Sequence, residues 1–447
     1  MNQKKYMLLC LLVLVIISSV NGQKKVVWLH GLQGDQTPST WDMYQTHFTS
    51  TNGQVVKYAS VFNSVKSAAA SLTNEKINPS NQDIILVGHS MGGLVSRSML
   101  PNNSKIKGLI SAGSPNQGSN LIANAINGKV FNVFETGVSK SSVAIDKSLT
   151  AAVFCAPPVS TIAAPVALGL NAFKNTALVG LGVAKSVIGD AISVYTTITP
   201  CTQDLLPSSS YVKESQSQYI NVPYLNIYGA EDYWQVVRIA GSFLNMDKVK
   251  KAENMDVSYD ESCFPTMYSA LSITSQIQTA HNDVYQALVY PAIVMPWIWA
   301  TRELVLSARY DWDGVYRYLE TDMHNNFASM VGANAYELRS YCVEEWVEDD
   351  NLPLLERVSG KIISPSQPTT GHWERVCHTS YVPVTLEHDG ILTSKAVIVP
   401  ESKGMKIMNV RVPHVNHQEM GNQIEMRKIF EKAYNSDQYG QIFNLLK

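Results

Sequence analysis

The chain has 447 residues, 45% of them apolar, 16% charged and 9% aromatic, with 35 Lys and Arg against 37 Asp and Glu. So few charges and so many aromatic side chains exclude a disordered chain, and a formal charge of -2 leaves no general field to hold a nucleic acid. At roughly 150 residues per domain the length suggests about three units, but α/β domains with insertions run longer as one body.

Met1 to Gly22 opens with Lys4 and Lys5, continues with the apolar run Met7 to Ile17, and closes on Ser18, Ser19, Val20, Asn21 and Gly22. That is the layout of a secretory signal peptide, with an uncleaved N-terminal anchor as the other reading. The run is short for a bilayer, which needs about 20 apolar residues. A secreted or extracytoplasmic location is therefore expected. Cys10 falls inside this leader, leaving Cys155, Cys201, Cys263, Cys342 and Cys377. An odd number in an oxidising compartment fits two disulfides and a spare thiol, with the pairing open. No C-x-x-C or H-E-x-x-H spacing occurs, so no metal site is expected from the motifs.

From Gln23 to about Asn120 short apolar runs alternate with helical stretches, as in βα units. Lys25 to Leu29 reads as a strand that stops at His30-Gly31, and Gln54 to Tyr58 as a second. In Phe62 to Lys76, Val65, Ala69 and Leu72 recur at helical spacing. Ile84 to Val87 has no polar alternation, as expected of a parallel strand covered on both faces. Ile106 to Ala112 is the next strand, broken by Gly113, Ser114 and Pro115. Ala156 to Thr199 is apolar and nearly free of charge, and Tyr224 to Gly229 restores a strand signal. Tyr290 to Ala300 carries two tryptophans and two prolines; it reads as core packing or as an interfacial, acyl-binding surface. Val382 to Leu386 and Ile407 to Val412 look like further core strands, and Gln423 to Tyr434 like a closing helix. The division that follows is a leader at 1–22, an α/β core from 23–120 and 382–447 with a strand near 222–232, and two insertions at 121–220 and 243–381.

Gly88-His89-Ser90-Met91-Gly92 satisfies G-x-S-x-G directly after a buried strand and before a helical run. The glycines allow a sharp strand-to-helix turn that lifts the serine hydroxyl clear of the sheet and aims the helix N-terminus at developing charge. Ser90 is therefore the expected nucleophile. The backbone N–H groups of Leu32, in the loop after the first strand, and of Met91 are assigned to an oxyanion hole. A base must activate the serine. His414 and His417 both follow the final strand; His417 is preferred because Asn416-His417-Gln418-Glu419 opens the closing helix, while His414 packs the loop. The acid is Asp389, which lies 28 residues before His417 with room for one short helix and one strand between them. Asp232, after the strand ending at Gly229, is the alternative acid.

With these residues in view, the chain resembles the α/β-hydrolase superfamily, and most closely the secreted bacterial triacylglycerol lipases and related esterases. The likeness rests on LHGLQG at 29–34, ILVGHSMGGLVSR at 85–97, GLISAGSPNQGS at 108–119, HDGILTS at 388–394 and VNHQEM at 415–420. It implies an α/β-hydrolase fold, a mostly parallel central sheet with large helical cap insertions. It also implies roles for Leu32, Ser90, Asp389 and His417 that agree with the spacing, and a lipid or ester substrate with contact to a lipid surface. No cofactor is required, although the resemblance allows a structural calcium held through Glu419. The elbow and the His-Gly loop also resemble inositol deacylases acting on glycosylphosphatidylinositol. Thioester or amide cleavage on the same residues, and a non-catalytic secreted binding protein of this fold, are the rival readings. Only about a third of the chain carries the likeness.

Overall fold

The structure is a computed structural model, and it describes residues 24–32, 34, 41–48, 53–101, 103–154, 168–175, 198–231, 260–348, 371–400, 404–421 and 423–445. The leader expected at 1–22, the alternative acid Asp232 and most of Ala156 to Thr199 lie outside the described residues.

Six strands form one sheet: β1 (Lys25–Leu29), β2 (Gln54–Val56), β3 (Ile84–His89), β4 (Ile106–Ala112), β5 (Tyr224–Ala230) and β8 (Ile407–Pro413). Their order is β2-β1-β3-β4-β5-β8, and every neighbouring pair is parallel. Alternate residues of a strand point to opposite faces, so a sheet covered on both sides needs apolar residues at every position. Val26, Trp28, Ile85, Val87, Ile110, Leu225 and Ile227 accordingly meet α10 (Ile424–Asn435) through Met426, Ile429 and Phe430. On the other face Val27, Leu29, Ile84, Leu86 and Leu109 meet α1 (Val65–Leu72) and α2 (Met91–Ser98). This is the expected α/β architecture with a parallel central sheet, consistent with an α/β-hydrolase fold.

Between β4 and β5 come α3 (Asn120–Ile126) and the long α4 (Phe131–Phe154), and after β5 come α5 (Asp260–Ala287), α6 (Val289–Val294), α7 (Pro296–Arg317) and α8 (Met323–Val331). Ala144, Phe173, Ile277, Trp312, Val315 and Phe327 are buried in one cluster that also includes Ile391 and Leu392. A smaller cluster, Ala151, Val284, Leu288, Ala292, Ile298 and Val305, ties the C-terminal parts of α4 and α5 to α6 and the start of α7. The tryptophan-bearing stretch Tyr290 to Ala300 thus divides: Ala292 and Ile298 are buried, while Ile293 and Trp299 are exposed. Proline explains the division, since Pro296 at the first turn of α7 starts a new helix where it cannot continue the old one.

One expectation is corrected. Val382 to Leu386 is not a strand of the core sheet. Val382–Thr385 end β7 (Gly371–Thr385), which pairs antiparallel with β6 (Asn334–Glu348) in register from Asn334↔Thr385 to Glu348↔Gly371, and Leu386 lies beyond the strand. Asn334–Thr385 form a compact unit of their own. The pattern misled because Glu374, Arg375 and His378 interrupt the apolar alternation of this ribbon, leaving only its last residues legible as a strand. Cys342 and Cys377 occupy directly opposed positions in it and are disulfide-bonded.

Candidate active site

The site collects at the carboxyl ends of the parallel strands, where open α/β sheets place their ligand-binding loops. β3 ends at His89, and the next residue turns sharply: Ser90 has φ 53° and ψ -125°, a left-handed backbone that non-glycine residues rarely take. Ile84–His89 and Met91–Arg97 are all buried, and Ser90 between them is partly accessible. The turn is held by the Ser90 N–H donating to the Ala112 carbonyl at 2.9 Å. A side chain at Gly88 would come within 2.3 Å of the Gly93 nitrogen, and one at Gly92 within 2.5 Å of the His30 carbonyl oxygen. The motif's glycines are thus required by close backbone approach between the elbow, its helix and the end of β1.

That end of β1 carries the loop expected to supply an oxyanion donor. A Cβ on Gly31 would lie 2.9 Å from that of Ser90, so the His30-Gly31-Leu32 segment lies against the elbow. Three contacts not foreseen from sequence fix it. The Tyr58 hydroxyl donates to the His30 carbonyl at 2.6 Å, and the Tyr58 N–H donates to His30 Nε2 at 3.2 Å. The two rings stack at 4.3 Å. Because Nε2 accepts, the proton sits on Nδ1, which donates to the Gly31 carbonyl at 2.7 Å. Trp41 Nε1–H holds the Leu29 carbonyl at 2.8 Å. Leu32 is half-buried against the core, and Met91 is the first residue of α2, where a helix leaves its N–H without an internal partner.

Asp389 and His417 meet. His417 Nδ1 donates to Asp389 Oδ2 at 2.8 Å, and the two side chains are 2% and 1% exposed. The other carboxylate oxygen accepts the N–H groups of Ile391 at 2.9 Å and Leu392 at 2.7 Å. The His417 N–H donates to the Asp389 carbonyl at 2.8 Å, so the pair is tied through backbone as well as side chain. A buried carboxylate with three donors is compensated for its loss of water, and it fixes the imidazole with Nδ1 protonated and Nε2 free to accept.

His417 lies against the residues that flank Ser90 and its backbone anchor. Its carbonyl accepts from His89 Nε2 at 2.9 Å, the two rings are 4.8 Å apart, and a Cβ on Gly113 would come within 3.0 Å of His417 Nδ1. Gly113, at φ +58°, and Gly229, where a Cβ would come within 2.2 Å of the Val415 carbonyl, leave the room that the two loops occupy. These spacers stand at the ends of β4 and β5, and strand-ending glycine is the signal by which they could have been found.

His417 does not itself open the closing helix. It sits in a turn before a 3-10 segment at Glu419–Gly421, and α10 starts at Ile424. The turn is closed reciprocally: Asn416 Oδ1 accepts the N–H groups of Gln418 and Glu419, and Glu419 Oε2 accepts the Asn416 N–H at 2.9 Å. Glu419 is fully buried, and among the described residues no group of three or more His, Cys, Asp or Glu side chains is arranged to hold a metal. His414 is exposed in a left-handed turn at φ 57°, rather than packed into the loop. His388, beside the acid, is fully buried; its Nδ1 accepts the Gly390 N–H at 3.1 Å, and burial pushes its pKa down to about 4.

A buried polar network behind the site was also illegible. Arg97 of α2 donates to Asn116 Oδ1 at 2.9 Å and to the Ser215 carbonyl. Asn116 and Asn226 both donate to the Val397 carbonyl, and Asn226 donates to Asn409 Oδ1 at 2.8 Å. The network ties the elbow helix to β5, β8 and the short helix α9 (Ser394–Val397) that follows the acid loop. Cys201 is a buried free thiol with its sulfur 2.8 Å from that of Met91, and burial pushes its pKa above the usual thiol range.

Residues 40–154 match the family model described as "PGAP1-like alpha/beta domain". No curated protein matches the chain. Among solved structures, an extracellular alpha/beta-hydrolase from a Paenibacillus species is 17% identical over 46% of this chain and 77% of its own, with a TM-score of 0.23. MenH from S. aureus is 17% identical over 57% of this chain and 94% of its own, with a TM-score of 0.22. The family match, taken with the parallel sheet and the elbow, relates the chain to the α/β-hydrolase superfamily and supports a hydrolase.

Proposed function

We propose that the chain is a secreted or extracytoplasmic serine hydrolase that cleaves carboxylic esters of lipids or acylated substrates through an acyl-enzyme. The observation that carries this reading is the buried Asp389–His417 pair, 2.8 Å between Oδ2 and Nδ1, lying against residues that flank an accessible serine at φ 53°. In this reading His417 Nε2 takes the Ser90 proton as Oγ attacks the ester carbon, and Asp389 holds the imidazole in the accepting tautomer. The Leu32 and Met91 N–H groups receive the negative charge that forms on the carbonyl oxygen, an interaction whose loss typically costs about 10²–10³ in rate. The adduct collapses with the proton passing from His417 to the leaving alcohol. Water, deprotonated by the same ring, then releases the acid and frees Ser90. None of these steps draws on a metal or a cofactor. An inositol-deacylase-like, thioesterase or amidase activity would use the same groups.

Labelling by a fluorophosphonate, abolished by Ser90→Ala, tests the reading; an unlabelled wild type without ester turnover overturns it. A panel of p-nitrophenyl esters from acetate to palmitate, run below and above the solubility limit, separates esterase from lipase.

A further inference from the structure

The junction of α6 and α7 presents a surface that hydrolysis does not explain. From Val284 to Thr301 the sequence has no Asp, Glu, Lys, Arg or His. Its buried side chains form the small cluster described above, while Ile293, Met295 and Trp299 stand 76%, 44% and 55% exposed. These three fall at the end of one helix, at the cap and in the first turns of the next, so they share a bend between two helices and not a groove. At the border of the uncharged stretch Arg302 lies over the Tyr285 ring at 4.0 Å and the Trp299 ring at 5.3 Å, and it donates to the Tyr285 hydroxyl at 2.6 Å.

We propose that this bend inserts into a phospholipid surface and tethers the protein there. An apolar tip without charge matches acyl chains, tryptophan and tyrosine are the side chains favoured at the hydrocarbon boundary, and the guanidinium bordering them brings a positive charge of the kind that complements lipid phosphates. No helix among the described residues is long and apolar enough to cross a membrane, so the contact is with one face of the bilayer. Trp312 and Val315 of α7 share their buried cluster with Ile391 and Leu392, neighbours of the acid. Trp299 stands thirteen positions earlier in the same helix, about 20 Å along its axis at 1.5 Å per residue. The bend is therefore a tether set apart from the chemical centre, and it stands whether or not Ser90 is a nucleophile.

The test is co-sedimentation of the full chain with phosphatidylcholine vesicles, comparing wild type with the double substitution Ile293→Ser and Trp299→Ser. Because Met7 to Ile17 is itself apolar, the deciding quantity is the difference between the two proteins. Partition is expected to fall by about 100-fold or more, the scale of removing two large apolar side chains from a lipid interface, and Arg302→Gln is expected to weaken it by a smaller factor. Equal partition of wild type and the double variant overturns the tether. So does a wild type that ignores vesicles and instead forms a dimer that the double variant breaks. As a check free of folding defects, lipids brominated on the acyl chain should quench wild-type tryptophan fluorescence more than that of Trp299→Phe; equal quenching overturns the proposal.

Discussion

At the carboxyl edge of the sheet, buried polar atoms are abundant and backbone groups hold them: Asp389 alone takes two backbone N–H groups and one imidazole. In the bundle of α4, α5 and α7, buried hydroxyls mostly bond back to their own helix, as Ser141 does to Gly137 and Thr274 to Ala270. A buried polar link between its helices is a relay from Trp312 Nε1 to Ser148 Oγ, from Ser148 to His281 Nε2, and from His281 Nδ1 to the Ile277 carbonyl. One region is thus specified by position to a fraction of an ångström, the other by apolar area with a few polar pins. Substitutions in the first should change rate more than stability, and in the second stability more than rate.

The largest expected effect tests the first half of that contrast. Asp389→Asn should lower kcat by about 10³–10⁴-fold, since the imidazole loses its orienting acceptor, with little change in melting temperature, while Asp232→Asn leaves kcat near wild type. Steady-state kinetics on a soluble ester decide it, and a large loss in Asp232→Asn alone would reverse the assignment of the acid. Next in size is Trp312→Ala. Trp312 is fully buried and anchors the relay, so truncation should destabilise by about 3–5 kcal/mol in denaturant titration. The folded fraction should still turn over a short-chain ester.

A third prediction concerns acid. His388 and His324 are held neutral by burial, each with its pKa pushed down to about 4 from 6.5. Below 6.5 the unfolded chain binds protons that these rings refuse, so stability falls as pH drops from 6.5 towards 4 and levels off beneath it. Each group contributes on the order of 3 kcal/mol at most. His388→Asn, which keeps an acceptor for the Gly390 N–H, should flatten that slope in melts across the range; an unchanged slope removes His388 from the account. The smallest effect belongs to Tyr58→Phe. It deletes one hydrogen bond to the His30 carbonyl, worth about 1 kcal/mol, and should lower kcat several-fold without altering KM, because the loop it holds meets charge only in the transition state.

The strands of the sheet could be read from sequence almost residue for residue, since both faces of β1, β3 and β4 are covered and continuous apolar runs follow. The sharp turn at Ser90 was legible because an elbow demands glycine at fixed offsets, whereas Asp389 and His417 were legible only as candidates, from their places near the end of the chain. What could not be read was set by contacts distant in sequence. Tyr58 stacks on His30, Gly113 and Gly229 clear space for residues around 389 and 417, and Asn116 and Asn226 reach a carbonyl at 397. The ribbon of β6 and β7 was missed because charged residues hide its alternation, and the local pattern at 382–386 pointed to the wrong sheet.

The amino-acid order by itself settled which segments are strands and where a serine must turn sharply, because periodicity and glycine sterics act over a few residues. That His417 and not His414 meets Asp389, that Glu419 closes its own turn, and which residues of Tyr290 to Ala300 meet solvent were decided only when the strands aligned. Those outcomes depend on distances between segments far apart along the chain, and hydrogen-bond reach and close packing exist only once the sheet has brought those segments together.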